Sequence, residues 1–436
     1  MRAGFFERDV TPPVGCFLAG YPGRKGGSTG VCDPLYLRIV ALEDDAGARI
    51  VLVTMDLLKL PKDLTWRTKA WAEKNLGLKS AAIILNTSHT HCAPGLFHQE
   101  CYPQWPLDVE YVRKLEQWFR EGIRAALADL KPMRITFGVG EARFGVCRRQ
   151  PDPELGGKMR LGVNEAGYYD PDLPVMTFYD EGAEQPKAVL YSYACHSTSR
   201  SGQLISADWP GVVSRGIKQV LGDDVMTLFV QGAGGSVMTR KREGGSKPEE
   251  FDAYWLTEGK KIAEFATSDR MRDIKLRLIA VEKEFDIPYD MAKLPSQQEL
   301  LDLCDPTRET IPKELRPANP SIVRLWAQGI YEKVRTGALP KAFRMHLAKI
   351  GLTDSIRIIA MSGEVTADVG RMVKDLFPDR QTIFFGYCSY TDAYIPTAAM
   401  IDEWGHEALA SIYFHMRPAP FAKEIDEIIK REVRSL

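Results

Sequence analysis

Five times along this chain a short apolar, β-prone run stops at residues able to bind a metal or move a proton. Residues 81–85 (AAIIL) lead into Asn86-Thr87-Ser88-His89-Thr90-His91-Cys92-Ala93-Pro94-Gly95. Residues 187–194 end at Cys195-His196-Ser197-Thr198-Ser199, and residues 225–230 break at Gln231-Gly-Ala-Gly-Gly-Ser236. Residues 356–361 stop at Ser362-Gly363-Glu364, and residues 381–385 open into the Tyr387 to Tyr394 loop. In a mixed or parallel sheet such strand ends gather at one crevice, where α/β proteins bind their ligands. The expected fold class is therefore α/β, with mixed β-sheets flanked by helices.

Helical patterns separate the strands. One follows Pro61 over residues 62–76, and a long amphipathic one covers 108–130 with Asp108 as N-cap. Asp208-Trp-Pro-Gly opens another, with Asp208 suited to the cap, and residues 249–266 and 365–377 complete the set. Residues 150–172 read as a polar loop rich in Gly and Pro, and residues 296–337 as helical between prolines at 306, 312, 317 and 320. No repeat, low-complexity tract or linker stands out. The expectation is one large catalytic domain over residues 1–436, carrying a helical insertion at about 290–340.

Composition removes several function classes. Lys+Arg 57 against Asp+Glu 58 makes no electrostatic case for nucleic acid or an anionic membrane. No apolar run reaches the ~18 residues of a transmembrane helix, and the N-terminus lacks a signal core of ~7–15 apolar residues. A cytoplasmic location, a small-molecule substrate and no membrane partner are expected, with homo-oligomerisation left open. The eight cysteines form no C-x-x-C pair and read as reduced thiols. The Gly20 to Gly30 loop lacks the order of a phosphate cradle and reads as a mobile rim.

From the residues alone each candidate has two readings. His89 and His91, at i and i+2, project to one side of an extended chain, as the start of a metal site or as hydrogen-bonded strand-end residues. His196 is a ligand or a satisfied core histidine, and Glu364 a ligand or a charge favoured at a helix N-terminus. Asp56 closes an apolar strand as a functional carboxylate or as a cap for the next segment. Arg148 alone would be a surface cation after a strand.

Six segments recur in one order: Asp9-Val-Thr-Pro-Pro-Val-Gly, Asp33-Pro-Leu-Tyr, Ser88-His-Thr-His-Cys-Ala-Pro-Gly, Ser206-Ala-Asp-Trp-Pro-Gly, Gly363-Glu364 and Tyr394-Ile-Pro-Thr. Through them the chain resembles the N-terminal catalytic domain of the neutral/alkaline, non-lysosomal ceramidases, zinc-dependent amidases of N-acyl sphingosines, as a divergent member. The resemblance implies zinc (Zn2+) held by His89, His196, Glu364 and Tyr394. It places His91 in the active site without making it a principal ligand, and gives Arg148 to the substrate carbonyl or oxyanion. The sequence also departs from the family. The family's Gly-Asp-Val-Ser-Pro-Asn falls on Gly235-Ser236-Val237-Met238-Thr239-Arg240, so its serine is Met238 here and its aspartate Ser236. A second family tyrosine falls on His406. The ceramidases carry a further C-terminal domain, and none is expected here.

The expected function is a zinc-dependent hydrolase cleaving an amide bond in a small, relatively polar substrate through metal-activated water. His91 would move the proton of the leaving group, with Arg148 and His406 meeting the oxyanion. Two alternatives stand beside it: a zinc-dependent ester, lactone or glycoside hydrolase or lyase on a small polar substrate, and a non-catalytic zinc-binding relative. Selectivity is expected in three rim loops, Gly20 to Gly30, His98 to Trp105 and Cys147 to Tyr169. Their cations Arg24, Lys25, Arg148, Arg149 and Arg160 lean towards a hydrophilic or anionic ligand.

Overall fold

Along Tyr36–Glu43 and Arg49–Met55 nearly every residue is buried. Val40, Leu42, Ile50 and Leu52 face one core, while Leu37, Ile39, Ala41, Val51 and Val53 face another. Side chains of a strand alternate between its faces, so an unbroken apolar run marks a strand covered on both sides. The computed structural model, which describes residues 1–21, 23–96, 107–244, 248–305 and 320–436, shows what covers them.

The larger sheet has its strands in the order Met226–Gln231, Ala188–Tyr193, Asp172–Asp180, Lys131–Glu141, Arg2–Asp9, Tyr36–Glu43, Arg49–Met55 and Ile83–Thr87, with Arg272–Asp273 beside Lys131–Glu141. A second sheet runs Ile279–Pro288, Ala342–Gly351, Ile356–Met361, Gln381–Phe385. The sheets pack face to face: Val40, Leu52, Ile135, Phe178 and Leu228 share a core with Ile350, Ile358 and Ile383. Helices close the outer faces. Leu115, Phe119 and Ile123 of helix Val109–Ala128 cover Leu37 and Ile39. Val213 and Ile217 of helix Trp209–Leu221, with Trp255, cover Val175, Tyr191 and Phe229. Helices Ala367–Asp375 and Ile425–Arg434 bring Val369, Val373 and Ile429 onto Ile359 and Phe384. The result is a single large α/β domain of four layers, two mixed sheets between helices.

The expected caps form. Asp108 accepts from the Tyr111 amide at 2.9 Å, and Asp208 accepts from the Ser199, Arg200 and Trp209 amides. Asp33 joins that corner, accepting from the Ala207 amide at 2.7 Å and the Ser206 hydroxyl. Asp56 is also structural: it accepts from the Tyr36 amide at 3.0 Å and pairs with Arg38.

Two local readings change. Within 150–172, Lys158–Asn164 is a strand paired with Gly145–Asp152, which takes Val237–Thr239 on its other edge. The described part of the Gly20 to Gly30 loop is fastened rather than free. Its Arg24 donates to the carbonyls of Ala19 and Gly202 at 2.7 and 2.6 Å, and the Thr29 amide to Gln203 at 2.8 Å. Across 290–340, helices Gln297–Cys304 and Pro320–Arg335 share an apolar cluster with Ile412 and Tyr413, while residues 306–319 and the rim segment His98 to Trp105 lie outside the described residues. No helix among the described residues is long and apolar enough to cross a membrane.

Candidate metal centre

Both sheets deliver strand ends to one place, and Asn86 ties them together. From Ile83–Thr87, at one edge of the larger sheet, its amide nitrogen donates to the Gly386 carbonyl (2.7 Å) beyond the second sheet. It also donates to the Gln231 carbonyl (3.2 Å), and its oxygen accepts from the Gln231 amide (2.9 Å), at the opposite edge. Three residues on, the chain turns: His89 has φ +59, so the extended geometry expected for His89 and His91 ends before them. Tyr387 and Ser389 also hold left-handed φ values, +53 and +65. Such backbone is uncommon outside glycine and clusters at functional sites.

His89 and His196 are held alike. His89 Nδ1 lies 2.8 Å from the Leu58 carbonyl and His196 Nδ1 2.6 Å from the Gly234 carbonyl. A carbonyl only accepts, so both Nδ1 atoms carry the proton and both Nε2 lone pairs face inward. Each Nε2 is 3.1 Å from the same oxygen, Glu364 Oε2. Glu364 does not begin a helix; Glu364–Val365 is a two-residue strand paired with Tyr394–Ile395, placing Glu364 directly beside Tyr394. Tyr394 Oη stands 3.2 Å from His196 Nε2. His91 Nε2 is 3.3 Å from His89 Nε2, and the three imidazoles offer nitrogens within 4.8 Å of one another.

Burial drives the His196 pKa down to about 4, helped by the Arg148 charge, so the ring is neutral near pH 7 and free to ligate. Burial likewise lowers His91 well below its ordinary value. Two proton-free nitrogens and a carboxylate closing on one point repel one another unless a cation lies among them. This donor set suits a divalent metal, zinc included.

The remaining expected residues are also here. Arg148 is buried, not a surface cation: its Nη2 donates to Tyr394 Oη at 3.1 Å and its Nε to Glu407 Oε1 at 2.9 Å. The His406 ring centroid is 5.1 Å from that of Tyr394, and burial brings its pKa to about 4. Ser236 does not stand in for the missing serine: its hydroxyl accepts from the Ala367 amide (3.0 Å) at the start of a helix. Nor are the amides of Gly232, Gly234 and Gly235 free donors: they donate to the carbonyls of Tyr193, Gly232 and Val365. Among the rim arginines, Arg24 is committed to carbonyls and Arg149 to Glu407 and Glu403.

Three site residues escaped the sequence reading. Glu407 holds both Arg148 and Arg149, His415 Nε2 lies 3.7 Å from Glu364 Oε1, and the Tyr387 ring centroid is 4.5 Å from that of His89. Tyr387 opens a loop the strand pattern does flag; the other two lie in a helical stretch with no local signal.

No protein-family model matches this sequence, and neither does any curated protein. Solved structures do. Neutral ceramidase from Pseudomonas aeruginosa superposes with a TM-score of 0.70 over 99% of this chain and 73% of that one, at 18% identity. A ceramidase complexed with C2 superposes with a TM-score of 0.71 over 99% of this chain and 74% of that one, at 17% identity. The chain has the neutral ceramidase fold.

Proposed function

We propose that the chain is a divergent member of the neutral ceramidase family and a zinc-dependent hydrolase, cleaving an amide bond in a small, relatively polar substrate. The observation that carries the metal reading is the pair of Nε2 atoms, each 3.1 Å from Glu364 Oε2 with its own Nδ1 tied to a carbonyl. His89, His196, Glu364 and Tyr394 hold the ion in this reading. Zinc bound there would polarise a substrate carbonyl and lower the pKa of water from 15.7 towards ~7, without a nucleophilic side chain.

The chain's own groups do the rest. Arg148 is fixed beside Tyr394 and offers its guanidinium to a developing oxyanion. His406, neutral near pH 7 and packed against the Tyr394 ring, would donate a hydrogen bond to the same oxyanion. His91, uncharged and next to His89, would take a proton from the attacking water and pass it to the leaving group. The amide and the polar substrate follow from the family resemblance and the altered positions Ser236, Met238 and His406.

A second reading of the metal site rests on one distance, the 3.3 Å between His91 and His89 Nε2, which favours a three-histidine set. Zinc content of purified variants separates the two. His89→Ala and Glu364→Ala are expected to lose zinc and turnover together on a panel of chromogenic amides, esters and glycosides. His91→Ala is expected to keep zinc and lose turnover; zinc lost from it transfers the ligand role to His91. Full turnover by metal-free His89→Ala overturns the metal-dependent reading, and turnover confined to esters or glycosides overturns the amidase.

A further inference from the structure

Two irregularities of the backbone meet at one buried carboxylate. The ladder between Gly145–Asp152 and Lys158–Asn164 breaks register opposite Arg148: Cys147 pairs with Asn164, and Arg149 already with Leu161. Arg148 thus faces two residues, Gly162 and Val163, in the arrangement of a bulge, which re-aims side chains. Successive residues of a regular strand point to opposite faces. Here Arg148 and Arg149 close on the same group: Arg148 Nε on Glu407 Oε1 at 2.9 Å, Arg149 Nη1 on Glu407 Oε2 at 2.7 Å. The second irregularity carries that group. His406–Ala410 is a π-helical turn, entered through Trp404 at φ +63 and Gly405 at φ +92. π turns are rare and concentrate at functional sites.

Adhesion alone does not explain this arrangement. Arg149 would fasten the turn without help, since it also donates to Glu403 Oε2 at 3.0 Å and the Trp404 carbonyl at 3.1 Å. A buried ion pair is a poor source of net stability, because desolvating its charges offsets their attraction. Arg148 makes no bond to that turn except through Glu407, and its other donor reaches Tyr394 Oη, 3.1 Å away in the metal centre. An arginine side chain has four rotatable bonds, and the Nε contact with Glu407 removes most of that freedom. It leaves Nη2 aimed at the phenol.

We infer that Glu407 is a positioning residue of the site, which fixes Arg148 against Tyr394 and so sets the oxyanion contact. The inference rests on the hydrolase reading for its kinetic consequence and on the geometry alone for its structural one.

The test uses the zinc-loaded full chain with Glu407→Gln, Glu407→Asp and Arg149→Gln. Glu407→Gln is expected to keep zinc at the wild-type stoichiometry, hold KM and lose about 10–100-fold in kcat, the usual effect of removing a partner that orients an active-site group. Arg149→Gln loosens the turn that carries Glu407; it is expected to lower thermal stability with a smaller loss of kcat than Glu407→Gln. Should Glu407→Gln not fold, Glu407→Asp carries the test, its carboxylate one methylene too short to span both guanidiniums. Crystal structures of the variants give a readout apart from activity: Arg148 Nη2 is expected to leave Tyr394 Oη. Wild-type kcat in the Glu407 variants, or equal kcat losses in the Glu407 and Arg149 variants, overturns the inference. If the wild-type protein cleaves nothing on the panel, the hydrolase reading fails by itself. The inference is then decided by the variant structures, and Arg148 still 3.1 Å from Tyr394 refutes it.

Discussion

Gly20→Ala tests whether the glycine loop shapes the site through His91. Gly20 has φ +95, and a Cβ built there would lie 2.4 Å from His91 Cγ and 2.5 Å from Nδ1. An ordinary carbon–carbon contact needs ~3.5 Å, so the ring must move by about 1 Å. Its Nδ1 has no hydrogen-bond partner among the described residues, and Tyr21 flanks it at a ring-centroid distance of 4.8 Å. Two costs add: about 1–2 kcal/mol for alanine in left-handed backbone and about 1–3 kcal/mol for the forced contact, together roughly 2–5 kcal/mol of stability. A displacement of that size in a proton-transfer group costs on the order of 10²-fold in rate. Zinc should stay, because the His89 and His196 rings remain anchored on Leu58 and Gly234.

Gly26→Ala is the control. Gly26 also has positive φ (+83), but its added Cβ would meet nothing closer than Gln203 at 3.7 Å. It carries the conformational cost alone, about 1–2 kcal/mol, with turnover unchanged. Denaturant titration, zinc analysis and kcat on both variants complete the assay. Equal stability and equal turnover in the two would refute the contact with His91 as the route of the effect.

Met238→Ala should keep most activity if water, not a side chain, attacks the substrate; a loss beyond tenfold in kcat refutes that. Burial alone would raise the Glu282 carboxyl, but His346 and Lys69 bring it from 4.5 to about 2. The folded value lies below the unfolded one, so this stabilisation is complete above about pH 4.5 and disappears as pH falls towards 2. Glu282→Gln should therefore flatten the acid limb of stability across that window; an unchanged slope refutes the pairing. Asn86→Ala orphans the buried Gln231 amide, while the Gln231 and Gly386 carbonyls keep the Gly386 amide and the Cys388 thiol. It should cost about 1–3 kcal/mol in denaturant unfolding; a loss under about 0.5 kcal/mol would mean that the sheet edges are held otherwise.

Strands buried on both faces cannot hide in a sequence, because they must be apolar throughout and their ends are abrupt. That is why the stops after residues 85, 194, 230, 361 and 385 show which segments reach the metal centre. The hairpin strand Lys158–Asn164 was illegible for the opposite reason: it is mostly half-exposed or exposed, and no apolar alternation is required of it. Glu364 looked like a helix start because the residues after it are helical. Its pairing with Tyr394 depends on a segment 30 positions away, which no local preference encodes.

Glu407 is the limiting case. A carboxylate in a helical stretch reads as solvated, and nothing nearby announces partners 258 and 259 positions upstream. The left-handed turns at His89 and Tyr387, the register break opposite Arg148 and the π turn at Glu407 are all places where tertiary contacts override local preference. They fall together around the candidate metal site. Regular pattern in this chain therefore shows where the strands end, and departures from it show which side chains were brought to meet them. Substitutions that restore local regularity there, or that crowd His91 as Gly20→Ala does, should damage function out of proportion to their distance from the candidate metal ligands.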